Sequence, residues 1–230
     1  MEKYIYKNAS VILGQSNEII MHVREIYPES KCFLYRNFPD HAETITHNAA
    51  DARKLRIFYA GLLGVAQGVL ECCNKLEIEN LEIEFHIFGD GAERSAIQSY
   101  IKGHPEKKII FNGMIPRSEL LSRLSDFDVA FVPLKTRIYG SVPSKIFEYT
   151  ALGLPILYFG GGEGEDIVRE NNLGWAVPVE NFEALNSTLS IISKLPAGEI
   201  HQMKQNVLTT ATEHFNLSRQ MKTLIALDVF

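Results

Sequence analysis

Lys145 and Glu148 lie about one helical turn apart, in a stretch that carries the start signal of a helix. Pro143 fits the first helical turn, since its missing N–H would be unpaired there, and it favours an extended Val142 before it. The spacing therefore predicts a helix over Pro143–Leu152. On that helix, Lys145 would supply a mobile cation, and Glu148 would offer two acceptor oxygens to the vicinal hydroxyls of a ribose.

The backbone before this helix could bind an anion. The N–H groups of Gly140, Ser141 and Val142 would have no helical partner, and the positive end of the helix dipole would lie behind them. This arrangement suits a diphosphate. The alternative is an ordinary helix cap with an exposed Lys and Glu that pair weakly across one turn, and spacing alone leaves both open.

Two glycine-rich turns lie upstream. The first contains the candidate binding residues Gly61, Gly64 and Gln67, and its glycines would let a phosphate or a sugar approach the backbone at a helix N-terminus. In the second, Gly89 permits a tight turn that Asp90 caps, with ligand contact through the Gly89 backbone as the alternative. Tight packing explains the glycines of the first turn equally well, so that turn is not specific on its own.

The elements that would position these residues alternate from residue 56 onward. Short apolar runs predict strands at Arg56–Gly61, Ile83–Gly89, Lys108–Gly113, Asp128–Leu134, Pro155–Phe159 and Gly174–Val177. Helical periodicity predicts helices at Val65–Lys75, Ala92–Lys102, Pro116–Ser125, Pro143–Leu152, Asp166–Asn171, Phe182–Lys194, Ala197–His214 and Ser218–Leu227. Repeated βαβ units with right-handed crossovers form a doubly wound parallel sheet, an α/β fold of the Rossmann-like type.

The first fifty residues hold too few strands for a sheet of their own. Strands at Ala9–Gly14 and Lys31–Tyr35, with a helix at Asn17–Ile26, indicate one βαβ piece. The polar, unpatterned segment His41–Lys54 indicates a linker. We therefore expect three parts: a remnant of a partner domain with its linker at 1–50, the Rossmann-like domain at 51–195 and C-terminal helices at 196–230.

Composition excludes some classes of function. The 230 residues are 46% hydrophobic and 22% charged, which is typical of a globular chain with one substantial core. A net charge of −5 gives no cationic field for a phosphate backbone, so we expect no nucleic-acid partner. The three cysteines favour reduced thiols in the cytoplasm, and neither a signal peptide nor a membrane span is predicted.

Two patterns that suggest metal sites fail on closer reading. Asp126 and Asp128 form an Asp-x-Asp pair, but they precede an apolar run and would lie at the amino end of a strand, away from ligands. The seven histidines include no pair at the spacing of metal ligands. We predict no metal site and no cofactor.

The segment Gly140–Leu157 resembles the signature region of glycosyltransferase group 1, a large family of retaining enzymes with the GT-B fold. The family motif has a Glu, seven residues and a second Glu, followed by a segment similar to Ala-x-Gly-x-Pro. Glu148 matches the second Glu, which implies a contact with the nucleotide ribose. The first position, which implies a contact with the donor sugar, falls on Gly140, where the acidic side chain is absent.

Two further motifs extend the resemblance over Lys54–Leu189. Phe85–Arg94 is similar to the strand-ending Gly-Asp-Gly motif of the family. Met114 and Ile115 match the place where main-chain atoms bind the base. The form of the segment Pro143–Tyr149 resembles a subgroup that acts on bacterial surface polysaccharides.

The first glycine-rich turn departs from the family pattern. Many relatives carry an Arg and a Lys there that bind the diphosphate, whereas this chain has Leu62 and Gln67. The donor phosphates would then depend on backbone amides and Lys145, with help from Lys135 or Arg137.

The resemblance implies transfer of a sugar from a UDP- or GDP-sugar to an acceptor in bacterial surface polysaccharide or glycolipid synthesis, with retention and without a metal. The groups that act on the acceptor would belong to the rest of the N-terminal domain, so we expect no catalytic residue in this chain and no transfer by the chain alone. We expect a cytoplasmic protein that meets the inner membrane only through that domain or a lipid-linked acceptor. A non-catalytic nucleotide-sugar-binding or interaction domain and a GT-B epimerase are the alternatives.

Overall fold

A computed structural model describes residues 1–40 and 54–227 of the chain. The strands are β1 (Ile12–Gly14), β2 (Cys32–Leu34), β3 (Leu55–Leu62), β4 (Ile83–Asp90), β5 (Ile109–Gly113), β6 (Val129–Pro133), β7 (Ile156–Phe159) and β8 (Gly174–Val177). The helices are α1 (Glu2–Asn8), α2 (Asn17–Ile26), α3 (Val69–Lys75), α4 (Arg94–Gly103), α5 (Arg117–Leu124), α6 (Ser144–Ala151), α7 (Glu163–Glu170), α8 (Phe182–Ile192), α9 (Ala197–His214) and α10 (Leu217–Ile225). The segment predicted as a linker lies outside the described residues, except for Lys54.

Strands β3 to β8 form one parallel sheet in the order β5-β4-β3-β6-β7-β8. The chain runs from β3 outward through β4 and β5, then returns to the other side of β3 to add β6, β7 and β8. This reversal creates a topological switch point between the carboxyl ends of β3 and β6, where sheets of this type bind ligands. The predicted doubly wound parallel fold is confirmed, and each of its six predicted strands is present with ends shifted by at most one residue.

Both faces of this sheet are covered by helices. Successive residues of β3 alternate between the two faces, because side chains in a strand have a period of two. Ile57 and Tyr59 pack in the core under α3, α4 and α8, whereas Phe58 and Ala60 pack in the core under α5, α6 and α7. On the first face, burial raises the pKa of the Cys73 thiol to about 12, so this thiol is uncharged near neutral pH.

Helix α3 begins at Val69, four residues after the predicted start at Val65. The intervening residues form turns instead, in which the Gln67 N–H donates to the Gly64 carbonyl and the Gly68 N–H donates to the Val65 carbonyl. Gly68 has a φ of +67°, a left-handed conformation that ends the turn and starts the helix. The connection after β3 is therefore a longer loop than the sequence predicted.

The N-terminal segment, residues 1–40, forms the predicted βαβ piece. β1 and β2 pair in parallel, with Ile12 opposite Cys32, and α2 connects them. Helix α1 was not predicted, because its polar residues and aromatic residues give no apolar face, and none of its residues is buried.

Glu163, the first residue of α7, joins this segment to the large sheet domain. Its carboxylate accepts hydrogen bonds from the backbone N–H of Asn17 (2.7 Å), from the Asn17 side chain (2.8 Å) and from Arg36. Burial acts to raise the pKa of Glu163, but the Asn17 N–H and the Arg36 guanidinium outweigh it and hold this pKa below its ordinary value. The side chains of Arg36 and Glu163 are 10% and 9% exposed, so this is a buried ion pair.

The C-terminal helices pack back on both parts. On α9, the Lys204 Nζ donates to the Phe127 carbonyl at 2.6 Å and to the Asp128 carboxylate at 3.3 Å. On α10, the Gln220 side chain both donates to and accepts from the backbone of Arg36 at 2.9 Å.

The predicted domain boundaries at residues 50 and 195 stay a prediction. Among the described helices, none is long and apolar enough to cross a membrane.

Candidate functional site

A cavity of about 650 Å³ opens at the carboxyl edge of the sheet, beside the switch point. This volume is in the range of small-molecule sites, which is about 300–1,000 Å³. Its lining comes from the ends of β3 and β4, from the residues that follow β4 and β5, from α5, from α6 with the residue after it, and from Pro39 of the N-terminal segment. The predicted binding residues that line it are Gly61, Gly89, Met114, Ile115, Lys145 and Glu148.

Lys145 lies at the base of this cavity. Its Nζ donates to the Ala60 carbonyl and lies 3.5 Å from the Tyr149 hydroxyl, which donates to the same carbonyl at 3.2 Å. Burial lowers the pKa of Lys145, while the Glu148 carboxylate raises it and the Arg117 guanidinium lowers it further. A ligand phosphate beside Nζ would favour the charged ammonium.

Glu148 occupies the next turn of α6 and lines the same cavity. The Ser144 hydroxyl donates to its Oε1 at 3.1 Å, and its Oε2 lies 3.9 Å from the Arg117 Nη1. About a third of the side chain is exposed, at 34%. The carboxylate is therefore oriented by one hydroxyl and keeps acceptor capacity for a ligand.

Gly61 and Gly89 form the part of the cavity where backbone is exposed. They lie opposite each other in the β3–β4 pair. A Cβ on Gly61 would lie 2.9 Å from the Lys145 Nζ, and a Cβ on Gly89 would lie 1.8 Å from the Gly61 carbonyl oxygen. Gly89 also has a φ of +140°, which residues with side chains rarely adopt. At Gly89 the fold itself therefore excludes a side chain, whereas at Gly61 a side chain would displace the end of Lys145.

Replacing Gly89 with Ala is therefore expected to lower the free energy of unfolding by at least about 2 kcal/mol, since the new methyl group meets backbone rather than a movable side chain. Urea denaturation measures this change. Gly198→Ala is the matched control, because no atom lies within 4 Å of a Cβ at this position in α9, and alanine favours a helix. Equal stability of the two variants would contradict the close contact at Gly89.

The backbone before α6 is not free as predicted. The Gly140 N–H donates to the Glu18 carboxylate at 2.7 Å, and the Ser141 N–H donates to the Ile138 carbonyl at 3.0 Å. The prediction that these two N–H groups are unpaired is wrong, because a tight turn satisfies one and a residue from the N-terminal segment satisfies the other. Gly140, Ser141 and the buried Val142 do not line the cavity. Their contact with a ligand stays a prediction.

Gly64 and Gln67 also lie away from the cavity lining. The Gln67 side-chain oxygen is buried and has no hydrogen-bond partner within the described part of the chain. A Cβ on Gly64 would lie 2.9 Å from this oxygen, so the glycine leaves room for the amide. Ligand contact by either residue stays a prediction.

One wall of the cavity is apolar, and the sequence did not reveal it. Leu120, Leu121 and Leu124 of α5 face the cavity together with Phe88 and Met114. The leucine spacing predicted a helix with a buried face, but it gave no sign that part of this face covers a cavity rather than the core. An apolar wall of this kind fits the face of a nucleobase.

Asp128 of the Asp-x-Asp pair has a structural role. Asp128 is 5% exposed at the amino end of the sheet, where its carboxylate accepts from the Arg56 N–H at 2.9 Å and from the Lys204 ammonium. Within residues 1–40 and 54–227, no group of three or more His, Cys, Asp or Glu residues is placed to hold a metal ion.

The parallel sheet, its strand order and the helices on both faces define a Rossmann-like α/β domain. Residues 55–193 match the family described as Glycosyl transferases group 1, and the chain belongs to this family. It is 26% identical over 220 residues to the probable glycosyltransferase WbjE of Pseudomonas aeruginosa, covering 89% of this chain and 55% of WbjE. It is 23% identical over 186 residues to the putative colanic acid biosynthesis glycosyltransferase WcaL of Escherichia coli K12, covering 76% of this chain and 46% of WcaL. The chain thus spans about half the length of these relatives.

Solved structures show the same fold. HepE of Anabaena in complex with UDP matches with a TM-score of 0.80 at 12% identity, over 98% of this chain and 65% of HepE. Sucrose-phosphate synthase of Thermosynechococcus elongatus matches with a TM-score of 0.76 at 17% identity, over 98% of this chain and 59% of the synthase. The six-stranded sheet has the fold of the C-terminal, Rossmann-like half of the GT-B architecture, as the resemblance implied. That residues 1–50 belong to the N-terminal half stays a prediction.

Proposed function

We propose that this chain is the donor-binding half of a glycosyltransferase that transfers a sugar from a nucleoside-diphosphate sugar in the synthesis of a bacterial surface polysaccharide or glycolipid. The observation that carries the proposal is the cavity at the switch point, in which Lys145 and Glu148 project from consecutive turns of one helix beside the bare backbone of Gly61 and Gly89. Family membership and relatives named as glycosyltransferases support it, and they favour transfer over a non-catalytic role.

The cavity offers a place for each part of the nucleotide. The base would lie against the apolar wall next to Met114 and Ile115. The two ribose hydroxyls would donate hydrogen bonds to the Glu148 carboxylate. This residue would position the ligand and take no part in proton transfer. The diphosphate would then extend toward Lys145 and Gly61, where the lack of a side chain on the glycine leaves its backbone open to the cavity. UDP and GDP are both candidates, and the UDP complex of HepE favours UDP.

The chemical contribution of this half is to stabilise the leaving group. As the bond to the sugar breaks, negative charge builds on the diphosphate, and a preorganised cation in a partly dry cavity stabilises that charge more in the transition state than in the ground state. Lys145 supplies such a cation, held in place by the Ala60 carbonyl. Retention of configuration and independence of a metal are part of the proposal.

The acceptor would bind across the cleft, on the N-terminal half of the enzyme. We place the group that takes the acceptor proton on that half. Any contact with a lipid-linked acceptor, or with the cytoplasmic surface of the inner membrane, would be made by the same half. Since the chain spans about half of its relatives, the 230-residue chain should bind nucleotide without transferring sugar.

A ligand panel tests the proposal. Thermal unfolding in the presence of uridine, guanosine and adenosine diphosphates should show stabilisation by one base above the others, since a ligand that binds only the folded state at 100 times its Kd adds about 2.7 kcal/mol. Isothermal titration calorimetry then gives the Kd for each. Absence of stabilisation by all three diphosphates would contradict donor binding, and sugar transfer by the 230-residue chain would contradict the division of roles between the two halves.

A further inference from the structure

The cavity has an incomplete set of cations for a diphosphate. Within the described residues, its charged lining consists of Lys145 and Arg117 on the positive side and Glu148 and Asp90 on the negative side. Asp90 is paired with Arg94 at 3.0 Å, outside the lining. A nucleoside diphosphate brings about two to three negative charges, so Lys145, which lies beside the Glu148 carboxylate, would leave most of this charge without a cation if it acted alone.

Part of the hydrogen-bonding capacity of Lys145 is used within the protein. One of its three N–H donors is used by the Ala60 carbonyl, and the Tyr149 hydroxyl lies at 3.5 Å. Nζ also lies close to the Gly61 backbone, since a Cβ built on this glycine would be 2.9 Å from it. Its remaining donors can therefore serve one part of a diphosphate, which leaves a place for a second cation.

The two cations on the loop after β6 are already engaged elsewhere. Lys135 pairs with Glu71 at 3.0 Å, and Arg137 pairs with Glu18 of the N-terminal segment. Neither Lys135 nor Arg137 lines the cavity. The sequence-based expectation that Lys135 or Arg137 assists Lys145 would thus require these ion pairs to break.

Arg117 is in the opposite situation. It is the first residue of α5, its side chain is 70% exposed, and it lines the cavity. In the cavity its guanidinium lies 3.9 Å from the Glu148 carboxylate, which is longer than a hydrogen bond. An exposed ion pair at this distance costs little to break.

We propose that Arg117 is the second cation of the donor site and binds the diphosphate of the nucleotide. The inference rests on the proposed function and assigns a residue to it. When the ribose hydroxyls take the Glu148 oxygens, the guanidinium is released from this carboxylate and can turn its N–H donors toward phosphate oxygens. A guanidinium suits this task because it presents several donors in one plane and binds two oxygens at once.

Titration calorimetry of the 230-residue chain with UDP, GDP, uridine and guanosine tests this assignment. Arg117→Gln should weaken UDP and GDP by the same factor of about tenfold, because one charge-assisted contact is lost, and should leave the nucleoside affinities unchanged. Arg117→Lys should recover part of the loss. Arg123→Gln, which removes a cation of α5 outside the cavity lining, is the matched control and should change the diphosphate affinities by less than about twofold. Lys135→Gln and Arg137→Gln test the competing assignment to the loop after β6.

The outcomes separate the two levels of the proposal. Wild-type chain that binds neither UDP nor GDP overturns the proposed function and the assignment together. Wild-type chain that binds a diphosphate normally, with Arg117→Gln unchanged, overturns the assignment alone. Equal weakening of diphosphates and nucleosides by Arg117→Gln also overturns it, since that pattern indicates a contact with the base or the ribose. A loss of diphosphate affinity confined to Lys135→Gln or Arg137→Gln would overturn the assignment to Arg117 and place the second cation on the loop after β6.

Discussion

Replacing Glu148 with Gln is expected to weaken binding of the preferred nucleoside diphosphate by about 100-fold. The carboxylate oxygens lie in the cavity, and each hydrogen bond from a ribose hydroxyl to a charged acceptor contributes about 1.5–3 kcal/mol. A Gln side chain keeps the size but loses the charge and one acceptor, so a net loss of about 3 kcal/mol is expected. Calorimetric titration of the folded variant measures the change directly.

Glu119→Gln is the control for this variant. Glu119 lies on α5, next to the cavity but not in its lining, and pairs with Arg123 one turn away on the surface. Its replacement should leave the Kd within about twofold of the wild type. Similar affinities of the Glu148 and Glu119 variants would show that the ribose is not held by α6.

The second large effect is expected at Glu163. Replacing it with Ala leaves the Arg36 guanidinium, 10% exposed, without its carboxylate and removes the acceptor of two Asn17 hydrogen bonds. Breaking one side of a buried pair typically costs about 3–5 kcal/mol, and we expect a loss of about 3 kcal/mol in the free energy of unfolding. Urea denaturation at neutral pH measures it.

Glu165→Ala controls for the loss of a carboxylate from α7. Glu165 pairs with Arg169 one turn away, and this exposed pair should contribute no more than about 0.5 kcal/mol. The pH dependence gives a second check. Because the folded-state pKa of Glu163 is below its ordinary value, its contribution is complete above an unfolded pKa of about 4.3 and is lost as the pH falls through the folded value. If Glu163→Ala retained the wild-type loss of stability on acidification, or cost no more than Glu165→Ala, this pair would not join the two parts of the chain.

The sequence predicted the sheet well because its evidence is local. Alternating apolar runs and helical periods identify strands and helices, and the handedness of βαβ units then determines that the sheet is parallel. The start of α3 was wrong, since the residues after Gly64 keep a helical pattern of apolar residues while Gly68 adopts a left-handed conformation. Helix α1 was missed because it buries no residue and so has no apolar period.

The site was predicted in part, and its misses have a common cause. Lys145 and Glu148 were found because their spacing on one helix is a local property. The pairing of the Gly140 N–H was missed because its acceptor, Glu18, lies 122 residues away. Arg117 was missed for the same reason, since only the packing of α5 beside α6 brings its guanidinium to Glu148. Contacts between distant parts of a chain leave no pattern in a single sequence.

The central claim is that a nucleoside diphosphate binds at the switch point, with its ribose on Glu148. A crystal structure of the chain with UDP, or with GDP if the panel favours guanine, tests it most directly. We expect the base against the leucines of α5, both ribose hydroxyls within hydrogen-bond distance of the Glu148 carboxylate, and phosphate oxygens beside Lys145. A nucleotide bound outside this cavity, or inside it with the ribose turned away from Glu148, would contradict the account.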